Sequence, residues 1–137
     1  MTPTQRYEVY IDGASRGNPG PAGVGVVFTD GSATPLREFA QYLGETTNNV
    51  AEYLALIYAL QEALRHGYTA LRVKTDSELL ARQVNGIYRV RHPQLRLFHD
   101  LVLHLRGGFQ EVSVEHIPRE QNTRADRLAG LAATQRY

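Results

Sequence analysis

The stretch YEVYID, residues 7–12, alternates between apolar or aromatic side chains and mostly polar ones, as a half-buried β-strand does. Val9 and Ile11 fall on one face of this strand, whereas Glu8 and Asp12 fall on the other. Residues 13–23 follow with many Gly, Pro and Asn residues, which predicts a turn. The sequence therefore predicts a first strand over residues 7–12 that ends on a carboxylate.

Outward from this strand, eight further segments show strand or helix periodicity. They are strands over 24–29, 36–43, 71–75 and 112–117, and helices over 46–65, 77–84, 93–105 and 123–134. The first three strands follow one another through hairpins, which give antiparallel neighbours, whereas strands separated by helices need crossovers and become parallel neighbours. We therefore predict an α/β fold with one mixed sheet and helices on both of its faces.

The composition predicts a single domain, 1–137, and limits its ligands. With 137 residues, 42% of them hydrophobic, the chain is long enough for one core and too short for two. It has no cysteine, so a bound metal needs oxygen or imidazole ligands, and oxygen favours hard cations such as Mg²⁺, Mn²⁺ or Ca²⁺. No apolar run resembles a secretory signal or a membrane span. We expect a cytoplasmic monomer that does not bind membranes.

Two aspartates fall at the ends of predicted strands. Asp12 ends the first strand, and Asp76 follows the fourth. If the chain turns outward from its first strand, these two strands are parallel neighbours about 4.8 Å apart, and their carboxylates meet at one edge of the sheet. Two carboxylates so close repel each other unless a cation lies between them. Either residue alone is more typical of a turn, so only their joint placement predicts a metal site.

Two further acids belong to predicted helices. Glu52 lies in the first half of the predicted helix over 46–65, and that half is apolar on almost every side. A lone buried carboxylate is unfavourable there. It therefore lies either at an exposed helix end or beside a cation. Asp126 opens the last helix, where an acid interacts favourably with the helix dipole, and the preceding Asn122-Thr123 pair is typical of an N-cap. Together with the two strand acids, they indicate a site with oxygen ligands for a metal ion.

Four strings of residues carry a resemblance to a known family. They are DGASRGNPG at 12–20, TTNNVAE at 46–52, TDS at 75–77 and NTRAD at 122–126. Because all four occur in the same order in the type 1 ribonuclease H family, the chain resembles that family over essentially its whole length. The resemblance implies a ribonuclease H-like fold, with a five-stranded mixed sheet of strand order 3-2-1-4-5. It also implies an endonuclease that hydrolyses the RNA strand of RNA–DNA hybrids and leaves 5′-phosphate ends.

The resemblance also assigns the metal ligands. It implies that two Mg²⁺ or Mn²⁺ ions are held by the carboxylates of Asp12, Glu52, Asp76 and Asp126. Two such ions would activate a water, stabilise the leaving oxygen and screen the charge of the phosphate.

Residues near the acids are implied to contact the hybrid. Asn18 and Thr47 would contact a phosphate of the DNA strand. RNA sugars and base edges would be contacted by Asn48 and Asn49, with main-chain groups of Gly13 and Ala14. Helix capping is an equally good explanation for Thr47 and Asn48, and the two roles can coexist.

One departure from the family concerns substrate binding. Several members carry a protrusion rich in lysine and tryptophan between their two central helices, but this chain has no tryptophan and links those helices only through residues 85–92. Arg89 and Arg91 in this link are candidates for phosphate contacts, and a solvated loop is the alternative. If phosphate contacts dominate the substrate binding that remains without the protrusion, the affinity for the substrate should depend steeply on salt concentration.

A second departure concerns the residue that assists the reaction. The family often places a histidine in a mobile loop before the last acid, and His116 falls at that position when residues are counted back from Asp126. His116 still belongs to the strand pattern, however. The chain also resembles single-domain members that have a similar Pro-Arg-Glu string, and this resemblance implies that the arginine, Arg119, is the assisting residue. An arginine is no base at neutral pH, but it can stabilise charge on the transferring phosphate. We favour Arg119 over His116.

Two other functions are compatible with the pattern. One is a related nuclease that prefers double-stranded RNA, which the missing protrusion leaves open. The other is a non-catalytic hybrid-binding module of the same fold. The presence of all four acids disfavours the second, because clustered negative charge facing phosphates weakens binding.

Overall fold

A computed structural model describes residues 5–135, so residues 1–4 and 136–137 of the predicted domain lie outside the described residues. The described chain forms one sheet, four α-helices and a short 3₁₀ turn at Arg119–Gln121. The strands are β1 (Tyr7–Ser15), β2 (Gly20–Thr29), β3 (Arg37–Thr46), β4 (Ala70–Thr75) and β5 (Glu111–His116). The helices are α1 (Asn48–Arg65), α2 (Glu78–Val84), α3 (Pro93–Arg106) and α4 (Thr123–Ala133).

The sheet has the order β3-β2-β1-β4-β5, which confirms the expected mixed sheet. β1 lies at its centre and pairs antiparallel with β2 and parallel with β4, in a register that places Ile11 opposite Thr75. β5 continues the parallel half of the sheet beside β4. The carboxyl ends of β1 and β4 therefore open at the same edge.

Helices cover both faces of the sheet. α1 contacts β1 and β2 on one face with α3 packed beside it, whereas α4 crosses β2, β1 and β3 on the other. Val9, Ile11 and Val73 are fully buried in one apolar cluster with the inner side of α1. Burying each such side chain stabilises the fold by about 1.5–3 kcal/mol. The described helices include none with the length and apolar character needed to cross a bilayer.

The predicted turn over residues 13–23 is wrong in most of its length. β1 continues past Asp12 to Ser15 and β2 already begins at Gly20, so residues 16–19 alone make the turn. Two of the glycines in this segment, Gly13 and Gly23, are paired in the β1–β2 ladder, and helices pack on their main chain. A Cβ at Gly13 would overlap the carbonyl of Ala51 in α1, and a Cβ at Gly23 would overlap α4. Glycine content therefore reflects close helix packing here, not only chain reversal.

The boundary between β3 and α1 also differs from the prediction. β3 continues to Thr46 because its last residues pair with the first residues of β2, with Gly20 opposite Thr46. α1 begins at Asn48, since Thr47 has an extended backbone and its side chain accepts a hydrogen bond from the N–H of Val50 at 3.3 Å. Capping by Thr47, one of the two roles considered for it, is thereby confirmed.

Candidate active site at the carboxyl ends of β1 and β4

The first two predicted acids lie side by side at one edge of the sheet. Ile11 of β1 is paired with Thr75 of β4, so the next residues along the two strands, Asp12 and Asp76, are neighbours. Asp12 is buried and Asp76 is half-buried. The parallel pairing predicted for the first and fourth strands is therefore what brings these carboxyl groups together.

Glu52 joins them from the first half of α1. Its side chain is 6% exposed, which excludes the exposed helix end that the sequence left open. Oε1 of Glu52 accepts a 2.6 Å hydrogen bond from the main-chain N–H of Gly13. Oxygen atoms of Asp12, Glu52 and Asp76 all lie within 4.8 Å of one another. Three acids that are distant in sequence thus form one cluster.

Asp126 reaches the same place from the first turn of α4. Its side chain is 40% exposed, and its negative charge is one of the causes that raise the pKa of Asp12. All four acids line a single cavity of about 550 Å³, together with residues from β1 and the first turns of α1 and α2. The structure therefore brings together every acid that the sequence singled out.

The predicted cap of α4 is only partly present. Asn122 occupies the N-cap position, but its side chain makes no capping bond. Its Nδ2 instead donates to the carbonyl of Ile11 at 2.9 Å, and the residue is 1% exposed. The side chain thus ties the start of α4 to β1, immediately before Asp12. Its Oδ1 has no hydrogen-bond partner among the described residues.

Burial and mutual repulsion shift the titration of the two most buried acids. Desolvation, and then the charges of Glu52, Asp76 and Asp126, raise the pKa of Asp12 to about 9. Desolvation also raises the pKa of Glu52 to about 8, although hydrogen bonds from Gly13 and Ser77 act in the opposite direction. Both groups are therefore protonated at neutral pH when no cation is bound, as expected for carboxyl groups crowded in a buried site.

The donor set fits a hard divalent cation. The converging ligand atoms of Asp12, Glu52 and Asp76 are all carboxylate oxygens, which suit Mg²⁺ or Mn²⁺. A bound cation would also remove the repulsion that raises the pKa of Asp12. These observations support divalent metal binding by the acid cavity.

The two candidates for an auxiliary group lie in different places. Arg119, in the 3₁₀ turn, lines the acid cavity, and its guanidinium lies 3.7 Å from Oδ1 of Asp126. Its side chain is 79% exposed, so it is accessible to a substrate. His116 is the exposed last residue of β5 and does not line this cavity. The placement favours Arg119.

Of the six residues near the acids that are expected to contact the hybrid, three line the acid cavity. Gly13, Ala14 and Asn48 line the acid cavity, and Asn49 is exposed in the first turn of α1. Oδ1 of Asn18 accepts a 3.0 Å hydrogen bond from the main-chain N–H of Asn48. The β1–β2 turn and the start of α1 therefore form one continuous surface beside the acids. Asn48 itself is not the capping residue of α1, since Thr47 occupies that position.

Comparisons with known proteins agree with this arrangement. The Reverse transcriptase-like family matches residues 10–132. RNase H1 from the archaeon Halobacterium salinarum has a crystal structure that superposes with a TM-score of 0.90 at 42% identity, over 93% of this chain and 96% of that one. The chain belongs to the type 1 ribonuclease H family. A second family structure, LC11-RNase H1 from a compost metagenome in complex with an RNA/DNA hybrid, gives a TM-score of 0.87 at 44% identity, over 93% and 96% of the two chains.

Two relatives found by sequence are longer than this chain. A bifunctional protein of Mycobacterium tuberculosis is 46% identical over 90% of this chain, which spans 34% of that protein. Ribonuclease HI of Halobacterium salinarum is 42% identical over 93% of this chain, which spans 64% of it. The ribonuclease H-family domain is therefore the part that these proteins share with the chain.

The arginines proposed to replace the family's protrusion lie in a second cleft. Arg89 and Arg91 line a depression of about 660 Å³ between the α2–α3 link and α3, apart from the acid cavity. Arg96 and His99 of α3 line it as well, which makes the cleft basic despite the presence of Asp100. Arg96 could not be assigned to this cleft from the sequence, because the helical pattern of α3 does not show which exposed residues face the link.

Ser77 is a second residue of the site that was not predicted from the sequence. It lines the acid cavity and is the N-cap of α2, where its Oγ accepts from the N–H of Leu80 at 3.1 Å. The signal was present in the string at 75–77, since a serine before a helix is typical of a cap. Its place beside Glu52 in the cavity could not be read from the sequence, because it depends on how α1 and α2 approach each other.

Proposed function

We propose that the chain is a metal-dependent endonuclease that hydrolyses the RNA strand of RNA–DNA hybrids by a two-metal-ion mechanism and leaves 5′-phosphate ends. We also propose that it does so as one ribonuclease H domain. The observation that carries the proposal is the convergence in one cavity of four acids, which come from β1, α1, α4 and the end of β4. The choice of substrate is supported by LC11-RNase H1, which was crystallised with an RNA/DNA hybrid.

Asp12, Glu52, Asp76 and Asp126 would hold the ions, Mg²⁺ or Mn²⁺. When bound, two such ions activate the attacking water, stabilise the leaving oxygen and screen the phosphate. The chain contributes carboxyl groups that are held in place before any ion binds. The Gly13 N–H fixes Oε1 of Glu52, and Asn122 ties the start of α4, which carries Asp126, to the strand of Asp12.

Arg119 is proposed as the auxiliary group. It is exposed at the cavity and close to Asp126, so its guanidinium can donate to an oxygen of a phosphate that enters the site. A fixed positive charge there would stabilise the charge that develops on the phosphate during hydrolysis. His116 remains the alternative.

Selection of the RNA strand is proposed to depend on the polar surface beside the acids. Amide side chains such as those of Asn48 and Asn49 both donate and accept hydrogen bonds, as the 2′-hydroxyl of RNA does. Main-chain groups of Gly13 and Ala14 border the same cavity. Asn18 and Thr47 are proposed to contact a phosphate of the DNA strand, in addition to their structural hydrogen bonds with Asn48 and Val50.

The basic cleft is proposed to extend the contact with the hybrid. Arg89, Arg91 and Arg96 line it together and can neutralise phosphates on a duplex that continues beyond the acid cavity. Little of the positive charge of the cleft is offset by acids, since Asp100 is the only carboxylate that lines it among the described residues.

A cleavage assay tests the proposed activity. A labelled RNA–DNA hybrid, a duplex RNA and a duplex DNA are incubated with Mg²⁺, Mn²⁺ or a chelator, and the product ends are identified. We expect metal-dependent cleavage of the hybrid with 5′-phosphate ends, and a loss of at least about a hundredfold in Asp76→Asn. Asp30→Asn is the matched control, since Asp30 is exposed in the β2–β3 loop and outside the acid cavity.

The other outcomes distinguish the alternatives. Faster cleavage of duplex RNA than of the hybrid would indicate a nuclease with that preference. Tight hybrid binding without cleavage under any metal condition would indicate a binding module. Full activity of Asp76→Asn would contradict the two-metal mechanism.

A further inference from the structure

Gln83, near the end of α2, is a polar residue that the structure buries beside the basic cleft. The residue is only 6% exposed, yet it lines the cleft together with Arg89, Arg91 and Arg96. A buried amide group is unfavourable unless its oxygen and its nitrogen both find hydrogen-bond partners. The partners of this amide therefore indicate what the residue does in the cleft.

The amide oxygen has a partner within the protein. Oε1 of Gln83 accepts a 2.6 Å hydrogen bond from the hydroxyl of Tyr53 on α1. Tyr53 is 1% exposed, and burial raises the pKa of its hydroxyl to about 12, so this donor keeps its proton at neutral pH. The main-chain carbonyl of Gln83 also accepts a hydrogen bond from Nε2 of His99 on α3, at 3.2 Å. Side chain and main chain of Gln83 are therefore held from two other helices.

The amide nitrogen has no such partner. Nε2 of Gln83 makes no hydrogen bond with any residue in the part of the chain that the structure describes. It is not enclosed, however, because Oδ1 of Asn122 is the one side-chain atom of the described residues that is both enclosed and unpaired. Solvent therefore reaches Nε2, and the cavity that Gln83 lines is the basic cleft. The N–H groups of this amide are available to a ligand in the cleft.

A phosphate oxygen is the partner that this setting favours. Three arginines line the cleft and attract phosphates, and glutamine side chains commonly donate to phosphate oxygens of nucleic acids. We propose that Gln83 binds a phosphate of the hybrid through Nε2, and that Tyr53 is a positioning residue that holds this amide nitrogen toward the cleft. The inference rests on the proposed function, in which the basic cleft contacts the hybrid.

The expected effect on binding follows from the neutrality of the amide. Loss of a hydrogen bond to a charged group weakens binding by about tenfold or more. Because Gln83 carries no charge, its loss should leave the slope of log K against log salt concentration unchanged, whereas loss of an arginine contact lowers that slope. Affinity and slope together therefore distinguish a contact made by Gln83 from a displacement of the arginines.

Three variants separate the contact from its support. Gln83→Met removes the amide at similar volume. Gln83→Met combined with Tyr53→Phe also removes the hydroxyl that would be left unpaired, and replacing both partners of a buried bond by apolar groups costs little stability. Tyr53→Phe alone keeps the amide but releases its orientation. The control is Tyr58→Phe, which makes the same change in α1 at a hydroxyl that bonds to no described residue.

Binding of a labelled RNA–DNA hybrid is measured by anisotropy over a series of salt concentrations, with each variant in an Asp76→Asn background. We expect Gln83→Met and the double variant to bind about tenfold more weakly than the parent at an unchanged slope. Tyr53→Phe should bind about threefold more weakly, and Tyr58→Phe within about 1.5-fold of the parent. Should Gln83→Met fail to fold, the double variant gives the same comparison.

Unchanged affinity in the folded variants that lack the amide would overturn the role of Gln83 and leave the proposed function intact. A lower slope in these variants would also overturn it, since Gln83 would then act by placing the arginines. Equal affinities of Tyr53→Phe and Tyr58→Phe would overturn the positioning role of Tyr53. Absence of hybrid binding by the parent, together with absence of hybrid cleavage by the unsubstituted chain, would overturn the proposed function as well.

Discussion

The main-chain N–H of Gly13 donates a 2.6 Å hydrogen bond to Oε1 of Glu52. The bond joins the central strand to the first helix at a point where both residues are buried. Its short length requires that α1 approach β1 closely, and this approach is possible because residue 13 has no side chain. Packing of the helix and placement of a proposed metal ligand therefore depend on the same glycine.

Gly13→Ala should therefore damage stability and activity together. The added Cβ would overlap the carbonyl of Ala51, so α1 must move away from β1 and carry Glu52 with it. We expect the free energy of unfolding to fall by about 2 kcal/mol or more and hybrid cleavage to fall at least about tenfold. Urea unfolding and the cleavage assay measure the two effects.

The control for this change is Gly130→Ala in α4, where an added Cβ meets no atom within 4 Å. Alanine is the better helix former, so this variant should be as stable as the unsubstituted chain or more stable by up to about 1 kcal/mol. If Gly13→Ala behaved like Gly130→Ala, the close approach of α1 would not be needed.

Without metal, the buried acids should make stability depend on pH in an unusual direction. Asp12 and Glu52 have folded-state pKa values of about 9 and about 8, whereas unfolded chains lose these protons near pH 4. Between about pH 4 and pH 9 the folded state holds protons that the unfolded state has released. The free energy of unfolding must therefore fall as pH rises through this window and level off above it.

Asp12→Asn isolates this contribution, because it removes one titrating group and the repulsion that it exerts. Measured by urea unfolding with a chelator present, its stability relative to the unsubstituted chain should increase from pH 5 to pH 9 by on the order of a few kcal/mol. Parallel pH profiles for the two proteins would mean that the pKa of Asp12 is not raised by folding.

The central acids could be predicted from the sequence because their placement depends on strand topology. A parallel pairing of the first and fourth strands is sufficient to bring Asp12 and Asp76 together, and the structure has this pairing. The extent of β1 could not be predicted, because Gly13 resembles a turn residue until the neighbouring helix is known. Periodicity describes each element separately, whereas helix approach is a property of two elements.

Asn122 illustrates the same limit at the start of α4. An asparagine before a helix is a good N-cap, and local chemistry favours that role. Its side chain instead points to the carbonyl of Ile11, which is distant in sequence and accepts from Nδ2, and the Oδ1 acceptor makes no capping bond. Local signals therefore identify positions better than they identify partners.

Arg119 and His116 can be compared directly. Arg119→Ala should lower kcat for hybrid cleavage at least about tenfold, because a charge beside the acid cavity is lost, whereas His116→Ala should lower it less than about threefold. Arg119→Lys keeps the charge but loses the planar guanidinium, so its kcat should lie between those of Arg119→Ala and the unsubstituted chain. Single-turnover rates give the comparison, and Arg119 loses its proposed role if its alanine variant also stays within about threefold.

Thermal unfolding of the Arg119 variants provides the structural control. The pair between Arg119 and Asp126 spans 3.7 Å and involves a guanidinium that is largely solvent-exposed, so its loss should hardly change Tm. A large fall in Tm together with the fall in kcat would instead indicate that Arg119 acts by holding the 3₁₀ turn in place.

The basic cleft should determine how strongly hybrid binding depends on salt. Each phosphate neutralised by an arginine adds about 0.9 to the slope of log K against log salt concentration. In an Asp76→Asn background, we expect that slope to fall by up to about 1 in each of Arg89→Ala, Arg91→Ala and Arg96→Ala, as measured by anisotropy of a labelled hybrid.

Arg65→Ala is the control, because Arg65 is exposed at the far end of α1 and paired with Glu62. If all four variants kept the slope of the parent, the cleft would not contact phosphates, and affinity would have to come from the surface beside the acids alone.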